Sequence, residues 1–187
     1  VRPTDLFETP DAEFTLTATK NRPDGEGRGL KQFDGAWSNG RQEEARIFVR
    51  NWLNRVLADC QVLSALCRKH HRVARSMAPH LGAMLAGHAE QQLALADELA
   101  ERIHLAGGVA AADPWRVAEL TCVPRPPDGA ESVQSMVARL LQAHDIALRR
   151  TRAGACVLRE RGDRISAELL DPRVVDIAEA QMRELIE

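Results

Sequence analysis

Residues 42–75 read QEEARIFVRNWLNRVLADCQVLSALCRKHHRVAR, and the fold is decided by their spacing. Val49, Leu53, Val56, Cys60, Leu63, Cys67 and His70 recur at alternating steps of four and three. That repeat lays one apolar stripe along a single helix of about thirty residues. A period of about 3.5 suits a long helix in an antiparallel bundle. Ser38 or Asn39 is a candidate cap for its start, and Glu43 and Glu44 suit an electropositive first turn. The helix is expected to end near Arg75.

Working outward, a second helix fits Pro79–Leu105, with Ser76 as a cap and Pro79 in an early helical position. Its stripe is Leu81, Leu85, His88, Leu95, Leu99 and Ile103, and Gly107-Gly108 stops it. The connection 109–130 contains Asp113-Pro114-Trp115, which can open a short helix, followed by Pro124, Pro126 and Pro127. A third helix fits 131–161, with Val133, Val137, Leu140, His144, Leu148, Thr151, Ala155 and Leu158 on one side. Gly162-Asp163 breaks it. A fourth runs from about 165 to the end, with Pro172 as a kink or as the first turn of a restarted helix after Asp171. Two long helices, a crossover with its own short element, and two more helices predict an all-α chain. That arrangement suggests, without settling, the class of a ferritin-like four-helix bundle with a long crossover between helices two and three.

Residues 1–40 read as an irregular N-terminal tail and 41–187 as the bundle. The tail holds Pro3, Pro10, Pro23, Gly25, Gly27, Gly29, Gly35 and Gly40, with one alternating stretch, Glu13–Thr17, that suits a short strand or docking arm. The 187 residues carry 25 Lys plus Arg and 27 Asp plus Glu, so bulk charge neither demands nor excludes nucleic acid. No apolar run approaches a membrane span and no secretory signal is visible, so a cytoplasmic protein is expected, with nucleoid association an open variant. Cys60, Cys67, Cys122 and Cys156 form no C-x-x-C pair. Cys60 and Cys67 lie too far apart along one helix for a disulfide, so buried reduced thiols are expected.

The segment Asp97-Glu-Leu-Ala-Glu101-Arg-Ile-His-Leu-Ala-Gly107-Gly108-Val109 resembles the D-x-x-A-E-R-x-x-x-x-G-G-V segment of the Dps (DNA-binding protein from starved cells) family of mini-ferritins. His70 stands 27 residues before Asp97, at the spacing of that family's helix-one histidine. Gly162-Asp163 followed by Ile165-Ser-Ala-Glu-Leu-Leu170 resembles the family's G-D-x-x-T-A-D-L-L. The likeness covers roughly 45–187. It implies self-association into a dodecameric shell that binds Fe(II) at intersubunit sites, oxidises it with peroxide or oxygen, and stores ferric mineral against oxidative stress.

Asp97 and Glu101 are four apart and share a helix face, with His104 along the same stripe. Carboxylates with imidazole suit Fe(II) and leave positions open for an oxidant. On sequence alone such a pair is more often a solvated helix face, and His70 a core-edge histidine. The resemblance implies instead that His70, Asp97 and Glu101 are catalytic iron ligands, His70 coming from one subunit and the carboxylates from its neighbour. Two further ligand positions of the family fall on Gly82 and Ala86. His80 lies two residues early, where a local shift recruits it as a metal ligand. His71 replaces the tryptophan that often follows the helix-one histidine, and His88 falls on the apolar stripe as a structural residue. A partly degenerate ferroxidase site is therefore expected, weakened or dependent on His71 or His80. Glu101-Arg-Ile-His104 also fits a Glu-x-x-His motif, but no second copy exists to build an intrasubunit di-iron centre.

The tail holds five Lys or Arg against seven Asp or Glu, which does not suit phosphate binding. Arg68-Lys69-His70-His71-Arg72 with Arg75, and Arg149-Arg150 with Arg152, read first as solvated faces or subunit contacts. Two other readings remain at this point. One is a shell with a degenerate site serving DNA binding or passive iron storage; the other is an unrelated helical interaction protein.

Overall fold

A computed structural model describes residues 30–129 and 131–187, within which Trp37–Glu187 is one unit of contacts. The Glu13–Thr17 stretch and most of the expected tail lie outside the described residues. The elements are α1 (Leu30–Met77), α2 (Pro79–Leu105), α3 (Pro114–Leu120), α4 (Val133–Glu160), α5 (Arg164–Glu168) and α6 (Val175–Ile186), with a widened turn over Leu169–Val174 between the last two.

The stripe that opened the sequence reading is the core face of α1. All seven of its members are buried, from Val49 to His70. Leu53, Val56, Leu57 and Cys60 pack with Leu95, Leu99 and Ile103 of α2 and with Ala155 and Leu158 of α4. Further along α1, Leu63, Leu66, Cys67 and Ala74 meet Leu85 and Ala89 of α2 and Met136, Leu140 and Ala143 of α4. Each fully buried leucine contributes about 1.5–3 kcal/mol over its exposed state, so two such layers hold four helices together without cross-links. Between them on α2 lie His88 and Gln92, both buried polar residues.

Two expected boundaries need correction. α1 begins at Leu30 rather than near Gln42, so Ser38 and Asn39 lie inside it rather than at its start. A helix-interior glycine costs only about 1 kcal/mol against alanine, which does not stop the chain at Gly35 or Gly40. Ser76 does not cap α2 either, because α1 runs on to Met77. Its hydroxyl donates to the Val73 carbonyl, and Ala78 precedes α2 with no side-chain cap. The fourth bundle helix is two pieces, as one of the two readings of Pro172 has it: Asp171 leaves helical geometry and the helix restarts after it.

The crossover is fixed by polar groups of α1 that periodicity does not single out. Asn54 donates to the Val109 carbonyl (3.2 Å) and accepts from the Ala111 amide (2.7 Å), while Gln61 donates to the Ala111 carbonyl (3.1 Å). Asp59, 1% exposed, accepts from the Thr121 hydroxyl and the Cys122 amide and pairs with Arg150 at 3.3 Å. Burial raises its carboxyl pKa, and the Arg150 guanidinium opposes that rise. As expected, Asp113 opens α3, accepting from the Arg116 amide.

Cys60 and Cys67 are buried and unbridged, as expected. Cys122 is only half-buried and Cys156 is exposed, because Cys156 lies on the outer face of α4 rather than on its core stripe. Among the described residues no helix is long and apolar enough to cross a membrane.

Candidate metal site

Ala96, Leu99 and Ile103 turn inward from α2, which leaves Asp97, Glu101 and His104 exposed on its opposite face. Among the described residues no ion pair engages either carboxylate, although fourteen others join Arg or His to acids nearby or across helices. Arg102, between them in sequence, points elsewhere. Its guanidinium donates to Ser166 Oγ (2.8 Å) and to both Asp163 oxygens (3.1 and 3.2 Å). Asp163 in turn caps α5 by accepting from the Ser166 amide (3.0 Å). The two sequence motifs thus meet in space, and Arg102–Asp163 fixes the rotation of the α2 end that turns Asp97 and Glu101 outward. Gly107, at φ +75°, closes that end as only glycine does without strain, its amide donating to the His104 carbonyl.

His70 completes the buried stripe of α1 and is 1% exposed. Its Nε2 lies 3.9 Å from Glu131 Oε2 and has no hydrogen-bond partner among the described residues. Glu131, just before α4, is held by Arg139 at 2.7 Å, which keeps its carboxyl below the usual carboxylate range. Burial lowers the His70 pKa while Glu131 opposes that fall, so the ring favours its neutral, metal-competent form. Nothing in the sequence pattern pointed to Glu131, since its meeting with His70 is a contact across 61 positions of chain.

His71 turns against α2. Its Nδ1 lies 2.8 Å from the Gly82 carbonyl oxygen, which can only accept, so Nδ1 carries the proton and Nε2 keeps a lone pair. This is the usual way a ligating histidine is oriented. At Gly82 the two helices nearly touch. A Cβ added there would lie 2.8 Å from Arg75 Cα, so α1 leaves no room for the histidine expected at this position. Ala86 is half-buried, and His80 is exposed near the start of α2. His88 is buried and bonded to Glu184, the structural role its place on the stripe implied. Among the described residues, no three His, Cys, Asp or Glu side chains stand together as a metal site within one chain.

Residues 50–186 match the ferritin-like domain family. DpsC from Streptomyces coelicolor is similar over 76% of this chain and 84% of its own, with 41% identity and a TM-score of 0.74. Dps from Thermosynechococcus elongatus shares the fold at 23% identity and a TM-score of 0.72, covering 78% of this chain and 92% of that one. An uncharacterised protein of Kitasatospora aureofaciens is 47% identical over 121 residues, 64% of this chain and 81% of its own. The bundle, its crossover and these likenesses define a ferritin-like protein. Within that class, the chain belongs to the Dps family of mini-ferritins. The reading as an unrelated helical interaction protein is thereby overturned.

Proposed function

We propose that copies of this chain assemble into a hollow shell, dodecameric as the family resemblance implies. The shell takes up Fe(II) at sites between subunits, oxidises it with peroxide or oxygen, and stores ferric mineral, limiting oxidative damage in the cytoplasm. The observation that carries this reading is the pair Asp97 and Glu101, adjacent on one helix face, exposed, and free of ion pairs among the described residues. Unpaired carboxylates one turn apart bind a hard cation readily, and a facing imidazole from a second subunit supplies the remaining donor. His70 stands at the expected register but is buried beside Glu131. His71, with Nε2 left bare by its bond to Gly82, supports a shared role at the same helix end, and His80 is a third donor there.

In this mechanism Asp97 and Glu101 bind and orient the substrate ion, and the histidines fix its position without adding charge. Arg102 and Asp163 hold the carboxylates at their angle. Anaerobic Fe(II) titration followed by peroxide tests the proposal. Asp97→Ala with Glu101→Ala should abolish the fast oxidation phase, and unchanged kinetics in that double variant would count against it. His70→Ala and His71→Ala separate the two imidazoles.

A second reading is a shell with a degenerate oxidation site that serves passive iron storage or nucleoid binding. The close approach of Arg75 at Gly82 favours it, because one family ligand position is sterically closed. Arg68, Arg72 and Arg75 are exposed at the end of α1 and supply a basic face. Gel shifts across a salt series decide the DNA part: a complex that weakens steeply with salt supports it, and no shift at low salt ends it.

A further inference from the structure

Inside the bundle, one glutamine of α6 ties that helix to α2 and α4. Gln181 Nε2 donates to Gln91 Oε1 (2.8 Å) and to the His88 carbonyl (3.4 Å), both on α2. Its Oε1 accepts from Gln92 Nε2 of α2 (2.9 Å) and from His144 Nε2 of α4 (3.0 Å). One turn further along α6, Glu184 Oε2 accepts from His88 Nε2 (2.8 Å). His88, Gln92, His144 and Gln181 are each no more than 2% exposed. In its neutral form each ring thus carries its proton on Nε2, and Nδ1 is the nitrogen left to take another. Neither Nδ1 has a hydrogen-bond partner among the described residues. A second proton on either ring would set a buried N–H against no acceptor.

The two rings differ in what meets an added charge. Glu184 faces His88, whereas the acids of the helices around His144 are engaged elsewhere. Glu179 on α6 is bound to Arg152 and lies near Arg183, Asp145 on α4 is bound to Arg149, and Asp59 on α1 is bound to Arg150. Ser64 of α1 donates to the Ala89 carbonyl, and the titratable group that α2 brings to His144 is His88, whose charge repels. The apolar hold on α6 is small. Val175 and Ala178 pack with Leu148, and Leu185 joins the layer of Leu63 and Leu140. Upstream, Asp171 leaves helical geometry and separates α6 from α5.

We propose that this network is an acid-sensitive latch: protonation of His144 beside His88 releases α6 from α2 and α4 while the rest of the bundle stays folded. Proteins open locally where buried apolar contacts are few, and α6 is such an element. Burial, reinforced by His88, lowers the His144 pKa from 6.5 to about 4. A histidine whose docked pKa is lowered takes its proton more readily in the released state. Docking is therefore at full strength above about pH 6.5 and weakens about tenfold per pH unit below it. It stops weakening through this group near pH 4, after a loss of about 300-fold. The latch acts within each subunit, is separate from the surface carboxylates of α2, and does not depend on the proposed iron chemistry.

The test is amide hydrogen exchange of the full chain, read by mass spectrometry across the range from neutral pH to pH 4 and corrected for the intrinsic pH dependence of exchange. Peptides of α6 are compared with peptides around Leu53–Leu63 of α1. Protection of α6 should fall by about 300-fold across that range while α1 stays protected. His144→Gln keeps a donor for Gln181 and cannot take a charge, so its α6 protection should change by less than about threefold over the same range. If His144→Gln does not fold by circular dichroism, His144→Leu carries the same expectation. The proposal is overturned if α6 of the parent keeps its protection down to pH 4, if α1 and α6 lose protection together, or if an uncharged variant loses α6 protection as steeply as the parent.

Discussion

Replacing Gly82 by alanine tests the helix contact that closes one expected ligand position. The added Cβ would sit 2.8 Å from Arg75 Cα, 3.0 Å from Arg75 N and 3.2 Å from Arg75 Cβ. Carbon atoms prefer about 3.5–4.0 Å, so the helices must part by up to about 1 Å at their crossing. Two of the three atoms are backbone and cannot swing aside. Overpacking of this kind costs about 1–3 kcal/mol. Alanine also regains about 1 kcal/mol of helix propensity, so the net change is a loss of about 0–2 kcal/mol. Gly87, five residues on in the same helix, is the internal control: a Cβ there meets nothing within 4 Å, and Gly87→Ala should stabilise by about 1 kcal/mol. The propensity gain cancels between the two variants, so their difference reads the steric contribution alone, about 1–3 kcal/mol. Urea unfolding at one fixed protein concentration measures it, with thermal midpoints differing by several degrees as a check. Equal shifts for the two substitutions would refute the close approach. Gly82→His meets the same Cβ conflict first, so restoring the family's histidine should lower stability and leave iron oxidation no faster.

Three further outcomes follow from named contacts. Asp59→Ala should cost about 3–5 kcal/mol, because it strands Arg150 and leaves the Thr121 hydroxyl and Cys122 amide without their acceptor; a loss under about 1 kcal/mol in urea unfolding would contradict that role. The Arg173 guanidinium donates to Glu98 at 2.6 and 3.1 Å and lowers that carboxyl pKa below 4.5. A carboxylate with a depressed folded pKa stabilises above its unfolded pKa and loses that stabilisation as pH falls through the folded value. Both side chains are more than one-third exposed, so Arg173→Ala should cost less than about 1 kcal/mol at pH 7 and progressively less as pH falls through the depressed Glu98 pKa, as read by parallel denaturation curves. Burial pushes the Cys67 and Cys122 thiols up to about 12 and the Cys60 thiol higher, while Cys156 is exposed. Brief maleimide treatment should therefore label Cys156 alone, counted by intact mass, with four labels after denaturation; early modification of Cys60 or Cys67 would show that the α1 stripe is not buried as described.

What was legible in the sequence is what repeats or what is local. The four–three stripe of α1 exposed its buried face down to His70, because helix burial recurs with the turn of the helix. Asp113 was legible as a helix opening because a cap acts on amides three residues away, whereas Asp163 was legible only as a break. Asp59, Glu131 and Gln181 were not. Each gains its meaning from a partner dozens of positions distant, and a polar residue on a core stripe gives no hint of which distant group it meets. Gly82 shows the same limit from the other side. A register match counts positions and marks a missing histidine there, but counting cannot reveal that Arg75 of the preceding helix fills the space a side chain would need. Under the proposed function His71, whose Nε2 is left bare in the neutral ring by its bond to that glycine's carbonyl, would be the compensating donor. The loss at 82 and the gain at 71 are therefore two consequences of one close helix crossing, and they should be altered together by any change that moves α1 away from α2.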